Sequence, residues 1–243
     1  MHPALVKRGY VILKRFLATK TLDLIESELQ ILRVDSSEAR LHGIVQNDRN
    51  YVVVMNKLDK TSDCLFDIAR KPEMLRSATA LLGKAAVPLS VEYFSKEPLL
   101  STPTLPHQDH IFYHEHFADE PALALWIALD KVSPNSGALE FEVRPKLRLK
   151  RHRKSGTLDL DYELASVQNV KFSSPVELDR GDCVAFHSFV VHRAKGNSGT
   201  NERRAIVFNY RGSPYRNSKR RLVNLPRSKT ARTVRSPGNF GTG

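Results

Sequence analysis

The sequence has few cysteines, no long apolar run and no internal repeat, and each of these absences excludes a class of protein. Only Cys64 and Cys183 occur among the 243 residues, too few for the disulfide framework of a small secreted domain. No apolar stretch is long enough to span a bilayer, and the first residues turn polar before a signal-peptide core develops. No repeat is visible at solenoid or propeller periods. These features favour a cytoplasmic protein with no membrane association.

Acidic residues are missing from one long segment, and the whole chain is strongly basic. The formal charge is +12 at pH 7, and no Asp or Glu follows Arg211. A second basic cluster spans 144–154. The Ser-, Pro- and Gly-rich composition of residues 213–243 predicts a partly disordered, basic C-terminal tail. Alternatively, the positive charge of this tail attracts anionic ligands. Neither segment interleaves aromatic residues for base stacking, which argues against nucleic acid as a partner.

Helical patterns occupy the N-terminal third, and strand patterns follow it. Apolar residues at helical spacing predict a helix over about 22–32. A second helical stretch runs over about 65–82, is interrupted by Pro72 and ends at Gly83. Strands are expected to dominate from about Val87 onward. The sequence therefore predicts an α+β chain in which N-terminal helices pack on a double-sheet jelly roll.

A His-x-Asp pair, followed far downstream by a histidine and an arginine, is the most informative pattern. His107 and Asp109 point the same way in a strand, because side chains alternate between faces. With His192 they form a 2-His-1-carboxylate set, which occupies one face of an octahedral iron and leaves positions open for substrate and O₂. Arg203, eleven positions after His192, offers a planar fork for the far carboxylate of a keto-acid cosubstrate. The pattern predicts a non-haem iron oxygenase.

Strand patterns surround these residues. Leu123–Leu129 is a continuous apolar run typical of a buried strand. Residues 203–210 are predicted to form a later strand that carries Arg203 on one face together with Asn209. His192 and Arg203 are accordingly expected on adjacent strands of an antiparallel pair.

The sequence resembles the phytanoyl-CoA dioxygenase family of Fe(II)- and 2-oxoglutarate-dependent oxygenases over roughly residues 9 to 212. The matching motifs are Pro106–Asp109, Leu125–Asp130, Gly137, Gly181–His187, His192, Asn197 and Arg203–Ile206. The resemblance implies a double-stranded β-helix (jelly-roll, cupin-like) core with the N-terminal helices packed on one sheet. It also implies that His107, Asp109 and His192 hold Fe(II) and that Arg203 binds 2-oxoglutarate.

The activity implied by the resemblance is that of a dioxygenase that uses O₂ and 2-oxoglutarate to hydroxylate a C–H bond, with release of succinate and CO₂. Desaturation, cyclisation and demethylation remain open. The basic 144–154 cluster occupies a loop position that borders the active site in relatives. It therefore favours a small anionic metabolite or natural-product intermediate as substrate.

Two departures from the family pattern bear on the ligands. Arg193 and Ala194 stand where many relatives have Gly-Ser, so a hydroxyl contact to the cosubstrate must come from elsewhere. Val143–Lys146 replaces a Pro-Gly-Ser-His element near the substrate, so no relative's substrate can be transferred. The family's carboxylate is retained at Asp109, which argues against a halogenase.

Two other protein classes stay open as alternatives: a non-oxygenase, metal-binding cupin-type protein, and an oxidative demethylase acting on nucleic acid. The expected organisation is one oxygenase domain over 1–212, with a helical part at about 18–83 and a jelly roll at about 87–212. The basic tail occupies 213–243. His187 and His110 are expected not to bind metal, His187 because an odd offset from His192 places the two on opposite faces of a regular strand. The sequence does not indicate the oligomeric state.

Overall fold

The computed structural model describes residues 1–34, 44–99, 101–113, 119–157 and 159–213. Met1–Ser213 form one compact unit. The predicted basic tail lies, from residue 214 onward, outside the described residues, so the division at 212 stays a prediction. Within the described ranges, no helix combines the length and the apolarity needed to cross a bilayer.

Five helices and twelve strands are assigned within these residues. The helices are α1 Pro3–Arg8, α2 Thr19–Val34, α3 Leu58–Thr61, α4 Asp63–Arg70 and α5 Pro72–Leu82. The strands are β1 Tyr10–Leu13, β2 Ile44–Gln46, β3 Val52–Met55, β4 Ala86–Lys96, β5 Thr104–His107, β6 Ala122–Ala128, β7 Leu139–Phe141, β8 His152–Thr157, β9 Leu160–Leu164, β10 Cys183–His187, β11 His192–Ala194 and β12 Arg203–Gly212.

Both predicted helical stretches form, the second with one division, whereas the short helices α1 and α3 were not predicted. The apolar stripe of α2 is buried, and the predicted second stretch is two helices that meet at Lys71. Pro72 causes the break, because it fits the first turn of a new helix but cannot continue an old one. Gly83 ends α5 with a φ of 71°, a left-handed conformation that a glycine adopts at little cost.

A seven-stranded antiparallel sheet, in the order β1-β10-β6-β12-β4-β3-β2, forms the larger layer. Alternation along β6 divides its two faces: Leu123, Leu125 and Ile127 pack against the helices, whereas Ala124 and Trp126 point to the interior of the jelly roll. Each fully buried leucine or isoleucine on the helix side contributes roughly 1.5–3 kcal/mol to stability. The expected packing of N-terminal helices on one sheet is confirmed.

The smaller layer is a three-stranded sheet, β5-β11-β7, and a separate hairpin is formed by β8 and β9. His192 lies on β11 of the small sheet, and Arg203 lies on β12 of the large one. The expectation that they occupy adjacent strands was wrong. The residues between them form a turn-rich connection that crosses from one sheet to the other, so the two side chains come from different layers.

Candidate metal centre and its cavity

Three side chains on and next to the small sheet converge on one point. The donor atoms of His107, Asp109 and His192 all lie within 4.8 Å of one another. Asp109 Oδ1 is 3.5 Å from His107 Nε2 and 3.4 Å from His192 Nε2. Neighbouring ligands of an octahedral ion with bonds of about 2.1 Å lie about 3 Å apart, so the spacing suits a shared metal.

Backbone carbonyls fix the orientation of both imidazoles. His107 Nδ1 lies 2.8 Å from the oxygen of Leu105, and His192 Nδ1 lies 3.3 Å from the oxygen of Val190. Each contact assigns the proton to Nδ1 and leaves Nε2 with a free lone pair toward the cluster, the arrangement that metal-binding histidines require.

Burial sets the charge states of the cluster. It lowers the pKa of His192 to about 4, with a further lowering by His107, so His192 is a neutral ligand at physiological pH. Burial alone would raise the pKa of Asp109, but His192 and His107 together hold that pKa below its usual value. The cluster therefore contains a neutral His192 imidazole and an ionised Asp109 carboxylate.

The His-x-Asp motif lies at the end of a strand and not within one. β5 ends at His107, Gln108 is extended, and Asp109 opens a short 3-10 turn. Because Gln108 keeps φ and ψ of −125° and 129°, the two ligands still lie on one side of the chain. The Gln108 side chain is fully buried on the other side and donates to the oxygens of Arg148 and Phe189.

Arg203 is buried in the large sheet, and within the described residues it forms no salt bridge. It is 3% exposed, and its Nε has no hydrogen-bond partner in the described part of the chain. Its guanidinium carbon lies 5.4 Å from the centroid of the Trp126 ring. Burial lowers its pKa to about 10, so it remains a cation. A buried, unpaired guanidinium calls for an anionic partner, because leaving it unpaired is costly.

A second buried cation, Lys96, was missed by the sequence analysis. It pairs with Arg203 in the β4–β12 register, and its Nζ donates to the oxygen of Thr102 at 2.7 Å. Asp159, in the tip of the β8–β9 hairpin, lies 3.9 Å from that Nζ and accepts from Thr104 Oγ1 at 2.5 Å. Burial, followed by the charge of Arg203, lowers the pKa of Lys96 to about 7.

A carboxyl group, Glu92, lies on the same inner face of β4 and was missed as well. Ser90 Oγ donates to Glu92 Oε1 at 2.9 Å, and Asn209 Nδ2 donates to Ser90 Oγ at 3.0 Å. Burial raises the pKa of Glu92 to about 7, and the charge of Asp109 adds to that rise. A sequence signal existed, since Glu92 and Lys96 share a face of one strand at period two.

The remaining predicted residues have structural contacts. His187 Nδ1 accepts from the amide of Phe189 at 3.0 Å, and His110 Nδ1 lies 3.2 Å from Ser188 Oγ. Both histidines are buried, and neither belongs to the three-residue metal cluster. Arg204 points to the opposite face from Arg203 and forms a salt bridge with Asp130 at 2.6 Å.

Several solved structures have a fold similar to that of this chain. The structure is similar to that of SnoN, a non-heme α-ketoglutarate-dependent epimerase from nogalamycin biosynthesis, with 23% identity, 86% of this chain and 80% of that chain covered, and a TM-score of 0.67. SnoN has also been crystallised with Fe3+, α-ketoglutarate and nogalamycin RO. The carbocyclase SnoK from the same biosynthesis is 21% identical; the match covers 87% of this chain and 84% of that chain, with a TM-score of 0.66. EctD from S. alaskensis, crystallised with 2-oxoglutarate and 5-hydroxyectoine, is 16% identical; the match covers 86% of this chain and 74% of that chain, with a TM-score of 0.67.

Family assignment rests on the sequence. No curated protein matches the chain. The family model described as "Phytanoyl-CoA dioxygenase (PhyH)" matches residues 5–205, which include all three candidate metal ligands and Arg203. The chain therefore belongs to the phytanoyl-CoA dioxygenase family of Fe/2-oxoglutarate-dependent oxygenases.

Proposed function

We propose that the protein is an Fe(II)- and 2-oxoglutarate-dependent dioxygenase that hydroxylates a C–H bond of a small molecule, consumes O₂, and releases succinate and CO₂. The observation that carries the proposal is the convergence of His107, Asp109 and His192, whose donor atoms lie within 4.8 Å of one another. Two imidazoles and one carboxylate on one side of an ion are the ligand set of non-haem iron oxygenases. The donor chemistry and spacing therefore fit the metal.

Arg203 supports the cosubstrate part of the proposal. It is a buried, permanently charged fork with an unpaired Nε, and it lies across the interior from the sheet that carries the metal ligands. A guanidinium of this kind holds a carboxylate with two parallel hydrogen bonds. We assign it to the carboxylate of 2-oxoglutarate that is remote from the metal.

The protein contributes position and exclusion of water. When bound, iron and 2-oxoglutarate supply the oxidising chemistry. The Leu105 and Val190 carbonyls hold the two imidazoles so that Nε2 of each faces the ion. Phe141 and Phe186 pack at 5.9 and 4.7 Å from the His192 ring and keep solvent from that ligand.

The outcome of C–H oxidation is the finer part of the proposal. SnoN is an epimerase and SnoK a carbocyclase, so similar folds carry out other reactions. We propose hydroxylation, for which the product gains one oxygen atom from O₂. A product of unchanged mass would indicate epimerisation, and a loss of two hydrogens would indicate cyclisation or desaturation.

Ligand spectroscopy under anaerobic conditions tests the proposal. Fe(II) and 2-oxoglutarate added to the full chain should give a weak visible charge-transfer band, and chelation of the iron should abolish it. Asp109→Ala should give no band, whereas His2→Ala, which removes an exposed histidine, should leave it unchanged. A chain that binds Fe(II) without the band would be the metal-binding cupin-type protein and would refute the proposal.

Turnover then identifies the substrate. Succinate release should rise above the uncoupled background when a matching small molecule is supplied, and the rise should need both O₂ and Fe(II). Screening metabolites by coupled succinate release gives the substrate directly, and mass analysis of the product distinguishes the three outcomes.

A further inference from the structure

Glu92 lies inside the jelly roll, on the strand face that looks toward the metal ligands. Its neighbours Val91 and Tyr93 point outward to the helices and are fully buried. Glu92 points inward beside Val207 of β12, and it is only partly buried. In this part of β4 the outward-facing Val91, Tyr93 and Ser95 are buried, whereas the inward-facing Glu92 and Phe94 are only partly buried.

Uncharged donors hold one end of the Glu92 carboxyl. Ser90 donates to its Oε1, and Asn209 also hydrogen-bonds the carboxyl while donating to Ser90. The Tyr113 hydroxyl is within hydrogen-bonding reach of Ser90. These contacts fix the direction of the carboxyl without neutralising it.

The charges that act on Glu92 are all negative. Asp109 and Asp59 both raise its pKa, and in the described part of the chain no lysine, arginine or histidine forms a salt bridge with it. An interior carboxyl without a cation costs stability unless something else offsets the loss of water. An interior carboxyl with a strongly shifted pKa and no salt bridge to a described residue is a candidate for a functional role.

Glu92 also lies close to the metal cluster. The charge of Asp109 reaches Glu92, and both carboxylates raise the pKa of the Tyr113 hydroxyl after burial, its first cause. The cosubstrate cation Arg203 lies at the other end of the same β4–β12 pair, opposite Lys96. The Glu92 end is therefore the end left for the substrate once 2-oxoglutarate extends toward Arg203.

We infer that Glu92 is a substrate-binding residue, and that the substrate presents a hydrogen-bond donor, a hydroxyl or a protonated amine, to its carboxylate. Ser90 and Asn209 orient that carboxylate, and Asp109 is near enough for its charge to act on it. This inference rests on the proposed function, since it assumes that 2-oxoglutarate occupies the Arg203 end. It sets the substrate class as neutral polar or cationic at the end that meets Glu92.

The anionic substrate expected from the basic 144–154 cluster receives less support from the contacts of that cluster. Lys150 forms a salt bridge with Glu142 and Arg153 forms one with Glu163, each at 2.6 Å. Arg144 lines a separate pocket of about 280 Å³ with Lys7. Lys150 and Arg153 are therefore already paired with neighbouring carboxylates, which weakens the case that they attract an anionic substrate.

Paramagnetic relaxation tests the inference without knowledge of the substrate. The full chain is loaded with Mn(II) and 2-oxoglutarate, and the proton relaxation of three probes is measured: methylammonium, ethylene glycol and acetate. Methylammonium and ethylene glycol separate an amine-binding from a hydroxyl-binding site. The variants are Glu92→Gln and Glu92→Asp, and the matched control is Glu73→Gln, which removes an exposed charge on α5.

Loss of the carboxylate should lower the paramagnetic relaxation of methylammonium, of ethylene glycol, or of both by about tenfold in Glu92→Gln, because a hydrogen bond to a charged group is lost. Glu92→Asp should recover part of the effect, Glu73→Gln should match the wild type, and acetate should not fall. If neither donor probe changes in Glu92→Gln, whether both are relaxed or neither is, the inference is wrong. A parallel fall of acetate would also overturn it, because the cavity would then have changed shape.

The relaxation of 2-oxoglutarate distinguishes a failure of the Glu92 assignment from a failure of the proposed function. The methylene protons of 2-oxoglutarate should be relaxed by Mn(II) in every variant. If they are not relaxed in the wild type, the proposed function fails. If they are relaxed, but the relaxation of methylammonium and ethylene glycol is the same in Glu92→Gln as in the wild type, only the assignment of Glu92 fails.

Discussion

The two ends of the inner β4–β12 face carry opposite charges. At one end, Lys96 of β4 pairs in register with Arg203 of β12, and both cations are buried. At the other, Glu92 lies beside Val207 and is held by neutral donors. The four-residue interval between Lys96 and Glu92 corresponds to about 13 Å along a strand. The strand pair therefore gives the cavity a polarity that would orient two ligands.

The ends also differ in how their charges are compensated. The cationic end has a carboxylate nearby, Asp159, which lies 3.9 Å from Lys96. At the Glu92 end, the described residues provide hydroxyl and amide donors, and the charges of Asp109 and Asp59 that act on Glu92 are negative. When a ligand enters a site that already contains a counter-ion, part of its binding energy is offset because that counter-ion is displaced or shared. A buried charge without a counter-ion gains the full stabilisation from a hydrogen-bond donor on the ligand. The two ends should therefore respond differently to the same kind of substitution.

Removal of Arg203 should give the largest effect. Arg203→Met removes the charged hydrogen bonds to the remote carboxylate of 2-oxoglutarate, and the KM for 2-oxoglutarate should rise about 100-fold. Steady-state succinate release measures the change. Arg204→Met is the control, because Arg204 points to the other face and pairs with Asp130; it should alter stability but not this KM. Equal KM increases in the two variants would mean that Arg203 acts only through the fold.

Lys96 should contribute a smaller, pH-dependent share of cosubstrate binding. Its pKa is lowered to about 7 by burial and by Arg203, with Asp159 opposing the shift. It is therefore protonated below pH 7 and progressively neutral above it. The wild-type KM for 2-oxoglutarate should rise as pH increases from 6 to 8. Lys96→Met should raise the KM about tenfold at pH 6 and flatten the pH profile. A wild-type profile that is already flat would exclude Lys96 from the cosubstrate site.

The sequence alone supported the metal cluster because its three residues come from short motifs whose spacing is chemically constrained. His107 and Asp109 are separated by one residue, so local geometry alone brings them together. The helices were predicted for a similar reason, since periodicity and the stop at Gly83 are local signals. The phytanoyl-CoA dioxygenase family followed from those same motifs.

What the sequence did not provide depends on pairing between distant segments. The meaning of Lys96 and Glu92 is set by which face of β4 turns inward and by its register with β12, and neither is encoded within the strand. The placement of His192 and Arg203 on adjacent strands failed because the connection between them changes sheets. The strands before Val87, β1 to β3, were missed since each has only three or four residues, too few to show a clear periodicity.

Replacing Glu92 should change the stability of the metal-free protein. Burial raises the pKa of Glu92 in the folded protein to about 7, above the 4.5 that is ordinary for a glutamate, so its ionisation disfavours the fold. That penalty is absent below about pH 4.5 and complete above about pH 7, and amounts to roughly 1–3 kcal/mol. Glu92→Gln should therefore stabilise the metal-free protein at pH 8, raising Tm by about 3–8 °C, and have little effect near pH 4.5. Thermal melts in chelator measure this, with Glu73→Gln as control. A destabilised Glu92→Gln at pH 8 would show that an unrecognised cation pairs with Glu92.

The smallest effect is expected at the counter-ion of the cationic end. Asp159→Asn removes the carboxylate near Lys96, so the incoming 2-oxoglutarate no longer competes with it, and the KM should fall about threefold at pH 6. Asp159 also raises the pKa of Lys96, so its loss makes Lys96 neutral at lower pH. The gain should therefore vanish at pH 8, where Lys96 carries little charge in either protein. Asp161→Asn, an exposed change on the same hairpin, is the control for effects on β8 and β9. A KM that rises at both pH values would mean that Asp159 supports the cosubstrate site through Thr104 instead of opposing the ligand.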